Sequence, residues 1–152
     1  MRDLIREVMV LRVTIEREKL AKDEKSIRKI FQVLEECRVP CECMAINIDW
    51  LAVYVRQAEN GKLKRCMLRL GQELDRINIT IDRDVRMLCI EGRQMTPRDV
   101  GMIASGLTMQ DIEIKMQRYL RCRDLFVVCV SAGEAEESRR IISELLVSDL
   151  VQ

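Results

Sequence analysis

RINITIDRD at Arg76–Asp84, VRMLCIEG at Val85–Gly92, RQMTPRDVGMIASGLTMQ at Arg93–Gln110 and DIEIKM at Asp111–Met116 form the stretch on which the fold turns. Ile77–Ile81 alternates isoleucine with Asn78 and Thr80, and Val85–Ile90 is a second run of β type, so two strands are predicted to meet at Asp82–Asp84. Gly92 opens a loop. Thr96 then supplies a helix N-cap and Pro97 the first helical position, with Val100, Ile103, Ala104 and Leu107 along one face. A further strand is expected from Ile112 to Met116.

The same order of elements precedes this stretch. Val8–Ile15 (VMVLRVTI) reads as a strand and Glu16–Lys25 as a charged loop. From Ser26, the apolar positions Ile27, Ile30, Phe31, Leu34 and Cys37 fall at helical spacing, with Ser26 or Asp23 as the cap. Cys41–Ile46 follows Pro40 as a strand, Asn47–Ile48–Asp49 is a turn, and Trp50–Arg56 (WLAVYVR) is an apolar strand. Asn60–Gly61 breaks the chain before a helix striped by Leu63, Cys66, Met67, Leu70 and Leu74.

Downstream, Ile112–Met116 and Leu125–Val130 are expected to pair across the basic stretch RYLRCRD. Ala135, Ile141, Ile142, Leu145 and Leu146 stripe a last helix, leaving Val147–Val151 for a closing strand. The order is βαββαβ followed by βαββα, two copies of a split βαβ unit, which is the ferredoxin-like plan. The expectation is an α+β fold of two units, residues 1–82 and 83–152, with antiparallel sheets and helices on one face.

Composition narrows the function. The 152 residues carry a net charge of +1, and splitting after Asp82 leaves 16 basic against 14 acidic residues and then 10 against 11, so neither half is a polyanion-binding block. No run approaches the roughly 20 apolar residues a membrane helix needs, and the N-terminus lacks the pattern of a secretory signal. Seven cysteines without such a signal fit a reducing, cytoplasmic setting. Cys66, Cys89 and Cys129 lie in apolar runs as small hydrophobes, and C-x3-C-x-C at Cys37, Cys41 and Cys43 is not a zinc spacing, so no metal is expected. Histidine is absent, which removes the commonest general base and lowers the prospect of catalysis.

With the residues in this order, the chain resembles the tandem ACT domains at the C-terminal end of aspartate kinases, from about Val8 to Leu146. The resemblance is carried by IDWLAVYVRQ at Ile48–Gln57, ITIDRDVRMLCIEG at Ile79–Gly92, MTPRDVGMIASGL at Met95–Leu107 and DIEIKMQ at Asp111–Gln117. It implies a non-catalytic regulatory module that binds an amino acid, lysine or threonine, and inhibits an attached kinase domain. No KFGGS-type stretch is present, so the implied forms are a free-standing regulatory chain, a separately made regulatory subunit acting on a separate kinase chain, or a piece cut from a longer chain.

Carried over position by position, the effector contacts of the first unit are Lys22, Asp23, Glu24, Lys25 and Ser26 on the strand-to-helix loop, with Glu42 and Asn47, Ile48 and Asp49. Those of the second unit are Met95, Thr96, Arg98, Asp99 and Val100, with Gln117. Backbone N–H groups at a helix start would hold the ligand carboxylate, and Glu42 or Asp49 its ammonium. The chain departs from the family where loop glycines give way to Lys25–Ser26–Ile27 and to Arg98–Asp99, and RYLRCRD exceeds the usual turn. No cofactor is implied, and a homodimer is expected because such a pair leaves sheet edges to cover.

Blander readings stand beside these. Lys115, Arg118, Tyr119, Arg121 and Arg123 would make a nucleic-acid surface only with aromatics to stack bases, and aromatic content is 3%. Trp50 and Tyr54 share a strand face and suit a core or interface. Glu16, Glu18, Asp23 and Glu24, mixed with Lys19, Lys22 and Lys25, make a solvated loop. The principal alternative is a degenerate ACT pair that dimerises or docks without any small ligand.

Overall fold

In the computed structural model, which describes residues 5–151 (side chains as far as 147), the elements run β1 (Ile5–Glu16), α1 (Glu24–Glu36), β2 (Cys43–Ile46), β3 (Trp50–Arg56), α2 (Asn60–Glu73), β4 (Asn78–Glu91), α3 (Pro97–Met109), β5 (Met116–Leu120), β6 (Leu125–Val130) and α4 (Ala135–Val151). The chain groups into two compact units, Val10–Arg83 and Met1–Met9 with Asp84–Gln152. The division falls inside β1 and inside β4, so each of these long strands serves both units.

In the Val10–Arg83 unit the strand order is β2-β3-β1-β4. β1 and β3 are antiparallel with Val13 opposite Val53, and β2 pairs β3 with Met44 opposite Val53. Leu11, Val13 and Ile15 of β1 and Leu51, Val53 and Val55 of β3 alternate onto one face, where Ile30, Val33 and Leu34 of α1 and Leu63, Cys66 and Leu70 of α2 cover them. Arg69 of α2 pairs with Glu36 at the end of α1, tying the two helices together on their outer surface.

The other unit orders its strands β5-β6-β4-β1. Cys89 stands opposite Val127 and Gln117 opposite Val128. Leu88, Ile90, Phe126, Val128 and Val130 face α3 and α4, with Ile103, Leu107, Ile142 and Leu146 closing the core. Arg6 pairs with Glu91 at 2.7 Å, as Arg12 pairs with Asp82 at 3.0 Å in the first unit, and the opposed numbering marks β1 and β4 as antiparallel. Each unit is therefore a four-stranded ferredoxin-like βαββαβ arrangement with its helices on one face, the α+β plan read from the sequence.

Four local expectations are corrected. Ile77–Ile81 and Val85–Ile90 are not two strands but one, β4, because the charges at the junction find partners without bending the chain. Asp82 takes Arg12, the Arg83 guanidinium donates to Asn60 at 3.2 Å, and Asp84 accepts from the Ala132 N–H at 2.8 Å. Asn60 and Gly61 do not break the chain; they form the first turn of α2. The strand expected at Ile112–Met116 begins at Met116 instead and absorbs Arg118–Leu120, leaving Arg121–Arg123 as a short 3-10 turn.

Its delay has a cause in the end of α3. Asp111 adopts φ +57°, and the Ile112 N–H reaches back to the Leu107 carbonyl at 3.1 Å while buried Ile112 packs beside Leu107. This is a Schellman stop, and α1 ends identically, with Arg38 at φ +55° and the Val39 N–H on the Leu34 carbonyl at 3.0 Å. Neither stop uses glycine. The fourth correction is the closing strand: Val147–Val151 continues α4, and the strand that completes the second unit is the Ile5–Met9 end of β1.

Candidate functional site

Each unit joins its first strand to its first helix by a loop that lies against the tip of its β-hairpin, β2–β3 in the first unit and β5–β6 in the second. In the second unit the loop leaves β4 through Gly92, whose φ of +73° only glycine takes readily, and whose N–H binds the Asp124 carbonyl at 3.0 Å. The loop then reaches α3 through a complete capping box. Thr96 Oγ1 accepts from the Asp99 N–H at 3.1 Å, and the Asp99 carboxylate accepts from the Thr96 N–H at 2.9 Å. Asp99 is 3% exposed, so this box is an interior feature.

Beyond the one Gly92–Asp124 backbone bond, a side chain stands between the loop and the hairpin tip. The Met95 N–H donates to Tyr119 Oη at 3.3 Å, and that hydroxyl donates to Asp124 Oδ1 at 3.3 Å. Around this strut lies a cavity of about 380 Å³ lined by Gln94, Met95, Thr96, Pro97, Tyr119, Arg121 and Asp124. Its volume falls at the small end of the range for small-molecule sites, roughly 300–1,000 Å³. Its polar side chains are a guanidinium, a carboxylate, two hydroxyls and the Gln94 amide. On the same face of β5, two residues before Tyr119, Gln117 holds its side-chain oxygen buried and without a hydrogen-bond partner.

The corresponding place in the first unit is closed. The Arg17 N–H binds the Asp49 carbonyl at 3.0 Å, the Ala21 N–H binds the Ile48 carbonyl at 2.9 Å, and the Lys19 N–H binds Asp49 Oδ1 at 2.8 Å, so loop and hairpin are joined directly. At the start of α1, Asp23 is the N-cap and accepts from the Ser26 N–H at 3.3 Å. Its other oxygen receives the buried Ser26 hydroxyl at 2.7 Å and the Arg17 guanidinium at 2.6 Å, and Arg17 also donates to Ser26 Oγ at 2.7 Å. The Ser26 hydroxyl, its N–H and the Arg17 charge hold the Asp23 carboxyl below the ordinary carboxylate range, against the opposing effect of burial.

The residues expected at a ligand are thus placed unequally. Asp23 and Ser26 are engaged with each other, Asn47 accepts the Ile48 N–H on its side-chain oxygen at 2.6 Å, and Asp49 is tied to Lys19. Lys22, Glu24 and Lys25 point to solvent, Glu24 pairing with Arg28 at 2.5 Å. Glu42 pairs with Arg56 at 2.6 Å at the opposite end of the β2–β3 hairpin from Asn47–Asp49, so it is not brought to the loop. In the second unit Met95 and Thr96 reach the cavity, Asp99 supports it from the capping box, and Arg98 and Val100 lie in the first turn of α3 without lining it.

Tyr119, Arg121 and Asp124 complete the lining and were not among the expected contacts. Their signal was the basic stretch RYLRCRD, whose tip residue Asp124 sits at φ +44°, a backbone state that Asp tolerates better than most residues. Among the described residues, no group of three His, Cys, Asp or Glu side chains suits a metal ion, all seven cysteines are free thiols, and no helix is long and apolar enough to cross a membrane.

No protein-family model and no curated protein matches the sequence. Solved structures do match its fold. The aspartate kinase of Clostridium acetobutylicum, described as an allosteric enzyme, aligns with a TM-score of 0.81 at 19% identity over 93% of this chain and 34% of its own. The regulatory subunit of aspartate kinase from Thermus flavus aligns at 0.79 and 13% identity over 93% and 96%, and a putative C-terminal regulatory domain of aspartate kinase from Porphyromonas gingivalis at 0.72 and 18% over 93% and 95%. The chain therefore spans about a third of the Clostridium enzyme and nearly all of the two regulatory pieces. Over 93% of its length it has the tandem ACT-type fold of the regulatory regions of aspartate kinases.

Proposed function

We propose that this chain is a non-catalytic regulatory module that binds a free amino acid in the cavity of its second unit and controls an enzyme of amino-acid metabolism through that binding. The observation that carries the reading is the chemistry of the cavity wall. Arg121 offers a guanidinium to a carboxylate, and Asp124 offers a carboxylate to an ammonium. Tyr119 and Thr96 add hydroxyls beside a helix start. A zwitterion matches that set, and neither a purely anionic nor a purely apolar ligand does.

Fold likeness to aspartate kinase regulatory regions agrees with this reading, and one of the similar structures is an Escherichia coli aspartokinase in complex with lysine. Lysine and threonine are accordingly the first ligands to test, with a homodimer as the assembly, a separate kinase chain as the target, and the cytoplasm as the setting. Ligand controls a partner only when it favours one conformational or assembly state over another, so binding and oligomeric state belong in one experiment. The competing reading, an interaction module without ligand, draws on the closed first-unit loop.

Thermal unfolding against the twenty amino acids separates the two. A ligand at 100 times its dissociation constant stabilises the native state by about 2.7 kcal/mol, which at this chain length raises the midpoint by roughly 5–10 °C. A selective rise that Arg121→Ala abolishes supports the regulatory reading. A folded wild-type chain that responds to none of the twenty refutes it.

A further inference from the structure

The two units are built on one plan, yet their strand-to-helix loops meet their hairpins differently. The helix-side pair nearest the hairpin tip is Ile46 opposite Leu51 in the first unit and Tyr119 opposite Phe126 in the second. Four residues lie between the paired positions in the first unit (47–50) and six in the second (120–125). The longer tip carries Arg121 and Asp124; it meets the loop through the Gly92 N–H on the Asp124 carbonyl and, farther along, through the Tyr119 hydroxyl. The shorter tip, with Ile46 in place of the tyrosine, keeps the corresponding bond from Arg17 and adds direct bonds from Lys19 and Ala21.

The caps differ in the same sense. The first helix starts with Asp at the N-cap and Ser at the third helical position, whereas the second has Thr and Asp. In the second unit the carboxylate is therefore drawn into the interior at Asp99, and the cap facing the cavity is a neutral hydroxyl. In the first unit the carboxylate sits at the mouth of the helix, half-exposed, with a guanidinium against it.

We propose that Arg17 and Asp23 occupy, as a built-in zwitterion, the first unit's counterpart of the second-unit cavity, so that the chain takes one ligand where its repeated architecture offers two places. This rests on the reading that the second-unit cavity binds an amino acid. Asp23 supplies the carboxylate and Arg17 the cation, in the roles a free amino acid would play. Arg17 is anchored from behind by the Asp75 carbonyl at 3.0 Å and is only 20% exposed, so the pair is held in place by the unit itself.

The test is the stoichiometry of binding by titration calorimetry of the full chain with L-lysine and, separately, L-threonine. The proteins are the wild type, Arg121→Ala, Arg17→Ala/Asp23→Ser, and the three changes combined. Serine at position 23 keeps a capping oxygen, and Arg17→Gln/Asp23→Ser replaces the alanine version where that one lacks the wild-type circular dichroism spectrum. The expected results are one ligand per wild-type chain, binding weakened about 10- to 100-fold by Arg121→Ala, and two per chain once the Arg17–Asp23 pair is removed. The combined variant retains one.

Two ligands on the wild-type chain, or an unchanged count after the pair is removed, overturns the proposal. Should the wild type bind neither amino acid, the reading of the second-unit cavity fails by itself. The Arg17–Asp23 proposal then stands where the emptied variant binds one ligand and falls where it binds none.

Discussion

The capping box of α3 gives a quantitative test of how the cavity wall is held. Thr96→Ala removes the acceptor of the Asp99 N–H, a loss of about 1 kcal/mol within a usual range of about 0.5–2. Asp99→Ala strands the Thr96 N–H and removes a negative charge from the positive end of the helix, which together cost roughly 1–3 kcal/mol because the carboxylate is buried. The two hydrogen bonds close one turn reciprocally, so losing either frees the other. The double variant should therefore lose less than the sum of the singles, with a coupling on the order of 0.5–1 kcal/mol. Urea unfolding of the four proteins at neutral pH, followed by far-UV circular dichroism, measures the cycle, and Thr96→Ser should behave as wild type. Strict additivity, or a Thr96→Ala chain as stable as wild type, would refute the reasoning, since the box would then be contributing nothing to the turn that forms the wall.

Two further outcomes follow from the packing. The Cys66 thiol is pushed up to about 12 by burial, reinforced by the neighbouring Cys37 and Cys41 thiols. Above the ordinary thiol value of 9.0 the unfolded chain sheds a proton that the folded chain keeps, so stability falls by about 1.4 kcal/mol per pH unit until the folded value is reached. Urea midpoints from about pH 8 to about pH 11 should decline less steeply in Cys66→Ala than in wild type, and parallel declines would contradict this account. At the α3–α4 contact, a Cβ on Gly106 would lie 2.9 Å from Leu145 Cδ1 and 3.3 Å from Ile141 Cγ2. Gly106→Val should cost roughly 1–3 kcal/mol through overpacking, outweighing its gain in helix propensity of a few tenths. Gly106→Ala, whose single Cβ meets the flexible end of Leu145 and the Ile141 methyl and gains about 1 kcal/mol of helix propensity, should lie much nearer wild type by the same unfolding assay, and equal losses for the two would argue against close helix contact.

Strand faces, helix stripes and most of the element order were legible in the sequence because each is a local periodic signal, whereas the continuity of β4 and the helical state of Val147–Val151 were not. WLAVYVR at Trp50–Arg56 is β3 to the residue, and Thr96–Pro97 marks the start of α3. Helix ends were less legible because Arg38 and Asp111 take the left-handed conformation usually assigned to glycine. The cavity was half visible. Met95 and Thr96 sit at a helix start that the sequence announces, whereas Tyr119, Arg121 and Asp124 lie in a charged stretch that reads as a solvated turn until the hairpin register is known.

The sequence alone determined that this chain makes two α/β units with apolar faces of matching period, because hydrophobic alternation depends only on which residues stand two, three or four apart. The tertiary structure decided that the second unit takes its last strand from Ile5–Met9 rather than from Val147–Val151, because strand pairing is made by backbone groups common to all residues. It also decided that the first loop closes on its hairpin through the N–H groups of Arg17, Lys19 and Ala21, whereas the second leaves a cavity around Tyr119. That outcome depends on the length of a hairpin tip and on which of two cap positions bears the carboxylate, and both act only when loop and hairpin meet in space.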